Sequence, residues 1–181
     1  RRRVHHGRTL ARVAFANAFL GFCTSMPHKL GSAFHLPGGL CSALLSCNGI
    51  RYNANDNPTK QPAFSQQARP QARRRYAEVA DHLRLSAPGD RTAQKIEKLL
   101  AWLEEMKAAL GIPKSIREAG VQEADFLAKV DKLAEDAFDD QCTGANPRYP
   151  LIAELKHIMM DTFYGRAFTE SDNAAAEAVQ E

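Results

Sequence analysis

Asp90-Arg91-Thr92-Ala93-Gln94-Lys95-Ile96-Glu97-Lys98-Leu99-Leu100-Ala101-Trp102-Leu103-Glu104-Glu105-Met106-Lys107-Ala108-Ala109-Leu110-Gly111 is the stretch that decides the fold class. Ile96, Leu99, Leu100, Leu103 and Leu110 recur at the spacing of one helix face, with Glu97, Glu104, Glu105 and Lys107 largely outside it. Asp90 or Thr92 can accept a first-turn N–H, and Gly111 with Pro113 two residues later stops the helix. Trp102 and the Leu/Met stripe read as ordinary amphipathic core.

Working outward, the same period recurs almost throughout. Leu10, Val13, Ala14, Ala18 and Phe19 share one face, with Arg8 and Arg12 on the other. A break is expected around residues 24–27, with Pro27 opening a short helix that runs to about Phe34. Leu36-Pro37-Gly38-Gly39 is a turn, after which Leu40, Leu44, Cys47 and Ile50 mark a helix ending near Asn53. Residues 54–70, rich in proline and amides, read as a long connecting loop. Tyr76, Val79, Ala80 and Leu83 give a further helix, as do Phe126, Leu127, Val130, Leu133 and Ala137. After a loop at 139–150, Leu151, Ile152, Leu155, Ile158, Met159 and Phe163 form the last helix, closed by Gly165, and a polar tail from Thr169 is expected to fray. No segment alternates with period two long enough to be a strand. The expectation is an all-α bundle of roughly six to eight helices.

Composition is that of an ordinary core-forming chain: 181 residues, 44% apolar and 25% charged. The net charge of +3 is unevenly spread. Residues 1–90 hold thirteen Lys and Arg against four Asp and Glu, while residues 91–181 hold eleven against seventeen. The basic residues are scattered, with runs only at Arg1, Arg2, Arg3 and at Arg73, Arg74, Arg75, and no aromatic residues alternate with them, so no nucleic-acid partner is expected. The longest apolar stretch, residues 13–23, is too short to cross a membrane and is broken by Asn17 and Gly21. Cys23, Cys41, Cys47 and Cys142 form no CxxC pair, and three sit in apolar stretches, which fits reduced thiols and a cytoplasmic location. The chain begins with Arg and its first Met is Met26, so it reads as an excerpt, a processed product or an incomplete gene product.

Three stretches carry a family likeness. Ala14-Phe15-Ala16-Asn17-Ala18-Phe19-Leu20-Gly21, running on to Met26-Pro27-His28-Lys29-Leu30-Gly31, is similar to the metal-site signature of iron-dependent alcohol dehydrogenases. The stretch 48–75, containing Arg51-Tyr52-Asn53-Ala54-Asn55-Asp56-Asn57-Pro58-Thr59-Lys60, resembles a segment of their bifunctional aldehyde–alcohol dehydrogenase branch, and Asp140-Gln141-Cys142-Thr143-Gly144-Ala145-Asn146-Pro147-Arg148-Tyr149-Pro150 resembles the closing loop of the family. The turn Ile112-Pro113-Lys114-Ser115-Ile116-Arg117-Glu118 also matches. The resemblance divides the chain into a poorly matching segment 1–12, a helical domain 13–165 and a tail 166–181.

This resemblance implies the helical C-terminal domain of the dehydroquinate-synthase-like fold. It implies a parent enzyme that uses Fe(II) and NAD(H) to interconvert a short aldehyde such as acetaldehyde with its alcohol, with an upstream domain binding the nicotinamide. It also implies helical filaments of the whole two-enzyme polypeptide. Two family iron ligands would fall in this region, one at the start of His-x-x-x-His and one in Pro-His-Gly. Here those positions are Thr24 and Gly38, and only the middle histidine is kept, as His28. A neutral hydroxyl is a poor substitute for imidazole on divalent iron, and glycine offers no side chain. No metal ligand, cofactor-binding residue or resident cofactor is therefore expected in this chain. His28 is the one catalytic candidate, by position a proton-relay group, with His35 two turns further on. Asp139, Asp140 and Cys142 read as loop-shaping residues, and Asn146 and Arg148 as ties from the loop to neighbouring helices. Two functions are open: a fragment of an alcohol dehydrogenase that is inactive alone, or a non-catalytic paralogue that associates with itself or with a full-length relative.

Overall fold

The computed structural model describes residues 1–55 and 71–170. The loop expected over 54–70, from residue 56 onward, and the tail from residue 171 lie outside the described residues. Among those described there are seven α-helices and no strand. They are α1 (Arg2–Ala18), α2 (Phe22–Phe34), α3 (Gly38–Asn53), α4 (Ala72–His82), α5 (Thr92–Ala109), α6 (Glu123–Phe138) and α7 (Ile152–Tyr164), with a 3-10 turn at Thr143–Ala145. The all-α reading holds.

Pro27 does not open α2; it lies inside it. The break falls earlier, where Phe19 adopts φ 62° and Gly21 is extended. The reason is tertiary. Phe22, Met26 and Leu30 form one stripe and are fully buried. An interior proline costs about 3 kcal/mol. Each of these side chains contributes about 1.5–3 kcal/mol when buried, so Phe22 and Met26 together outweigh the proline and draw residues 22–26 into the helix.

α2, α3, α6 and α7 surround the main core, built on Phe22, Met26, Leu30, Leu45, Tyr52, Phe126, Leu155, Ile158, Met159 and Phe163. The Phe126 and Phe163 rings stack 4.2 Å apart between α6 and α7. α4 and α5 form a hairpin that packs on the other side of α3, around Cys47, Ile96 and Leu100 with Tyr76 and Leu103 against them. α3 thus contributes to both clusters. The α5 stripe is narrower than its sequence spacing implies: Leu110 is 70% exposed and Trp102 only half-buried. Asp90 does not cap α5 either. It accepts the Ala87 N–H at 2.6 Å and pairs with Lys98, while Gln94 accepts the Arg91 N–H at 2.9 Å. At the start of α4, Glu78 pairs with both Arg74 and Arg75, which offsets their adverse position against the helix dipole.

α1 stands apart. It has no buried residue, and Leu10 and Val13 are 70% and 58% exposed.

Gly49 sets the approach of α2 to α3. A Cβ there would lie 2.2 Å from the Cys23 Sγ. Gly49→Ala is expected to destabilise the fold by about 1–3 kcal/mol through overpacking. In urea unfolding, adding Cys23→Ala should recover most of that loss, since it removes the atom in the way.

Candidate functional site

Thr24 and His28 lie one turn apart on α2 and so share a face. Thr24 is half-buried and His28 exposed. Next to His28, Lys29 reaches Asp140 Oδ2 at 2.9 Å, tying α2 to the 139–150 loop. Asp140 Oδ1 also accepts the Cys142 N–H at 3.0 Å. Burial alone would raise the Asp140 carboxyl, but the Cys142 N–H and Lys29 hold it below the usual range. Asp140 is thus a loop-shaping group, as its setting in the sequence suggests. α2 ends at His35, exposed and left-handed at φ 55°. Beyond Pro37, Gly38 is the first residue of α3. It is exposed, and a Cβ built on it would meet nothing within 4 Å. Of positions 24, 28, 35 and 38, Thr24 offers a hydroxyl, His28 and His35 offer imidazoles, and Gly38 offers no side chain. Among the described residues no group of three or more His, Cys, Asp or Glu is placed to hold a metal ion.

The dense chemistry of the domain lies elsewhere, where the C-terminal end of α3 meets the 139–150 loop and α7. Arg148 is 5% exposed and its guanidinium lies 4.0 Å over the Tyr52 ring. Its Nη2 donates to Glu154 Oε1 at 3.1 Å, its Nη1 to the Tyr52 carbonyl at 3.3 Å, and it also pairs with Glu170. Glu154 Oε2 accepts the Tyr52 hydroxyl and the Leu151 N–H, each at 2.7 Å. Burial, and after it the hydrogen bond to Glu154, pushes the Tyr52 phenol upward. Asn146 donates to Asn53 Oδ1 at 2.7 Å and to the Arg148 carbonyl at 2.5 Å. A Cβ on Gly21 would lie 2.3 Å from Asn146 Oδ1, so glycine is required there. Asn146 and Arg148 are the loop ties that the sequence reading expected.

The family model described as Fe-containing alcohol dehydrogenase family, C-terminal, matches residues 1–163. The chain belongs to the iron-containing alcohol dehydrogenase family. The bifunctional aldehyde-alcohol dehydrogenase AdhE of Escherichia coli K12 is 78% identical over 175 residues, which is 97% of this chain and 20% of that protein. The aldehyde-alcohol dehydrogenase of Clostridium acetobutylicum is 44% identical over 90% of this chain and 19% of its own length. The iron-containing alcohol dehydrogenase structure from Thermococcus thioreducens superposes with a TM-score of 0.71 at 32% identity, covering 91% of this chain and 37% of that one. The chain therefore spans about a fifth of the length of the first two relatives.

In this family member, sequence reasoning missed Asn48, Tyr52, Glu154 and Glu170 as polar anchors. Glu154 did leave a signal: it stands three residues after Leu151 at a helix start, where a carboxylate accepts an orphan N–H. Tyr52 left none, because a buried tyrosine and a core aromatic have the same spacing.

Two outcomes are expected. Arg148→Ala removes the cation that faces buried Glu154 and should cost about 3–5 kcal/mol, measured by chemical denaturation. The second concerns alkali. Burial raises Cys23 from 9.0 to about 12 and Tyr76 from 10.0 to about 12. Both groups are neutral when folded, so their contribution is complete below the ordinary values and is withdrawn as pH rises toward 12. Thermal midpoints should fall steadily from about pH 9 to about pH 11, and Tyr76→Phe should flatten the upper part of that fall.

Proposed function

We propose that the chain is the helical domain of an iron-dependent, NAD-linked alcohol dehydrogenase of acetaldehyde/ethanol type that can no longer complete its metal site. The observation that carries this reading is Gly38, which faces open space where the family signature calls for a histidine. Thr24 supports it, since a neutral hydroxyl on α2 is a weak donor for divalent iron. The residues present do not fit the metal, and His28, exposed one turn from Thr24, is a proton-relay group only by position. The cysteine usage supports a cytosolic setting. Among the described residues no helix is long and apolar enough to cross a membrane.

A second reading, a non-catalytic association module, is favoured by α1. That helix leaves Leu10, Val13 and Phe15 open to solvent and carries arginines at 2, 3, 8 and 12 with no acidic residue. Such a face fits contact with another copy or with a full-length relative.

The test is a chimera in which this chain replaces the matching 175 residues of the E. coli relative. Acetaldehyde reduction by NADH should drop on the order of a thousandfold, with iron lost from the purified protein. Installing Thr24→His and Gly38→His should restore both. Full activity and bound iron in the unmodified chimera would refute the reading. For the second reading, co-sedimentation of the chain with the intact relative at micromolar concentration is expected, and its absence counts against association.

A further inference from the structure

The chain does not end its ordered contacts with α7. Gly165 closes that helix at φ 70°, donating to the Thr162 carbonyl at 3.4 Å, while Arg166 donates to the Asp161 carbonyl at 2.7 Å. This closure turns the backbone back across α3. The family model's match stops at residue 163, whereas the 175-residue match to the E. coli relative runs on through residues 166–170.

Residues 166–170 are held at three kinds of point. The first is backbone recognition. Asn48 donates to the Arg166 carbonyl at 3.1 Å and accepts the Phe168 N–H at 3.0 Å. Its second amide hydrogen goes to Thr162 Oγ1 at 3.0 Å, which fixes the orientation of the amide. The second is an aromatic socket. Phe168 is 4% exposed and meets the Tyr52 and His157 rings edge-on, each 5.6 Å away. The third is a carboxylate seat, where Arg148 takes Glu170. Arg148 is already oriented by Glu154 and the Tyr52 carbonyl. A side-chain amide reading a backbone, a ring in a pocket and a fixed guanidinium for an acid are the elements of peptide recognition.

We propose that the groove between α3 and α7 is a binding site for a peptide bearing an aromatic residue followed two positions later by a carboxylate, filled here by residues 166–170 as a reversible strap hinged at Gly165. Covalent attachment keeps the strap at high effective concentration, so the groove is closed to other peptides until the strap is weakened.

Arg166 supplies the readout. Its side chain is 58% exposed, but its backbone is held on both sides, so trypsin can cut after it only when the strap lifts. In the full chain, Phe168→Ala should speed that cut on the order of a hundredfold. Glu170→Gln should speed it about threefold. The acetylated peptide Arg-Ala-Phe-Thr-Glu, at millimolar concentration, should then raise the thermal midpoint of the Phe168→Ala chain. Peptides carrying Phe168→Ala or Glu170→Gln should do so less. Cleavage as fast in the parent chain as in both variants would overturn the proposal. Equal shifts from matched and altered peptides would overturn it too, because the strap would then be packing without recognition. Should Phe168→Ala not fold, Glu170→Gln with the same peptides carries the comparison.

Discussion

A guanidinium with 5% of its surface in water cannot stand alone. The last third of the chain is arranged around that constraint at Arg148. Its charge is met by Glu154, 2% exposed, whose other oxygen takes the Tyr52 hydroxyl and the N–H of Leu151, the residue that precedes α7. One carboxylate therefore compensates the arginine, caps a helix and binds a phenol. These groups come from α3, the loop and α7, so they set the relative position of three parts of the fold. Burying such a pair gains little against an apolar substitute, yet removing one member is costly. Its effect is specificity: it admits one arrangement of loop and helices.

α3 is the element that this arrangement holds in place. It contributes Leu44, Leu45 and Tyr52 to the larger core and Cys47 to the smaller one. Its glycine at 49 lets Cys23 of α2 approach, and its Asn48 and Tyr52 receive the segment after α7. A helix constrained on so many sides has almost no free face. That is why its sequence lacks a clean polar stripe, although the spacing of Leu40, Leu44, Cys47 and Ile50 still marks the helix. By contrast α4 shows polar and apolar sides plainly, because only α5 and one side of α3 cover it.

Much of the fold could be read from the residues. Apolar spacing located the helices, and Gly111 and Gly165 marked two of their ends, since both adopt positive φ. The misplaced break at 24–27 shows the limit. Proline punctuation is local, whereas the burial of Phe22 and Met26 depends on helices distant in the chain. Leu110 fails for the same reason in reverse: its spacing is right, but nothing in the described residues covers the end of α5. Thr24, His28 and Gly38 were named from the resemblance to a family signature, which gives positions along the chain and not their arrangement in space. The polar anchors were less legible, because Asn48, Tyr52 and Glu170 acquire their roles only when α3, the loop and the strap are brought together.

Those two regions differ in what the fold asks of them. Gly38 is exposed with open space around it, and Thr24 is only half-buried. Neither position supports the core, so a change there costs the fold little. The groups that do support it, Gly21, Gly49, Asn146 and Arg148, stand where a single added or removed group would meet a neighbouring atom or strand a charge. An exposed side chain is held to its identity by what it does, whereas a buried anchor is held by stability. Stability is thus carried by contacts other than those of the side chains at positions 24 and 38, even where, as at Gly21 and Cys23, they lie beside Thr24, and good packing is no measure of whether a metal can be held there.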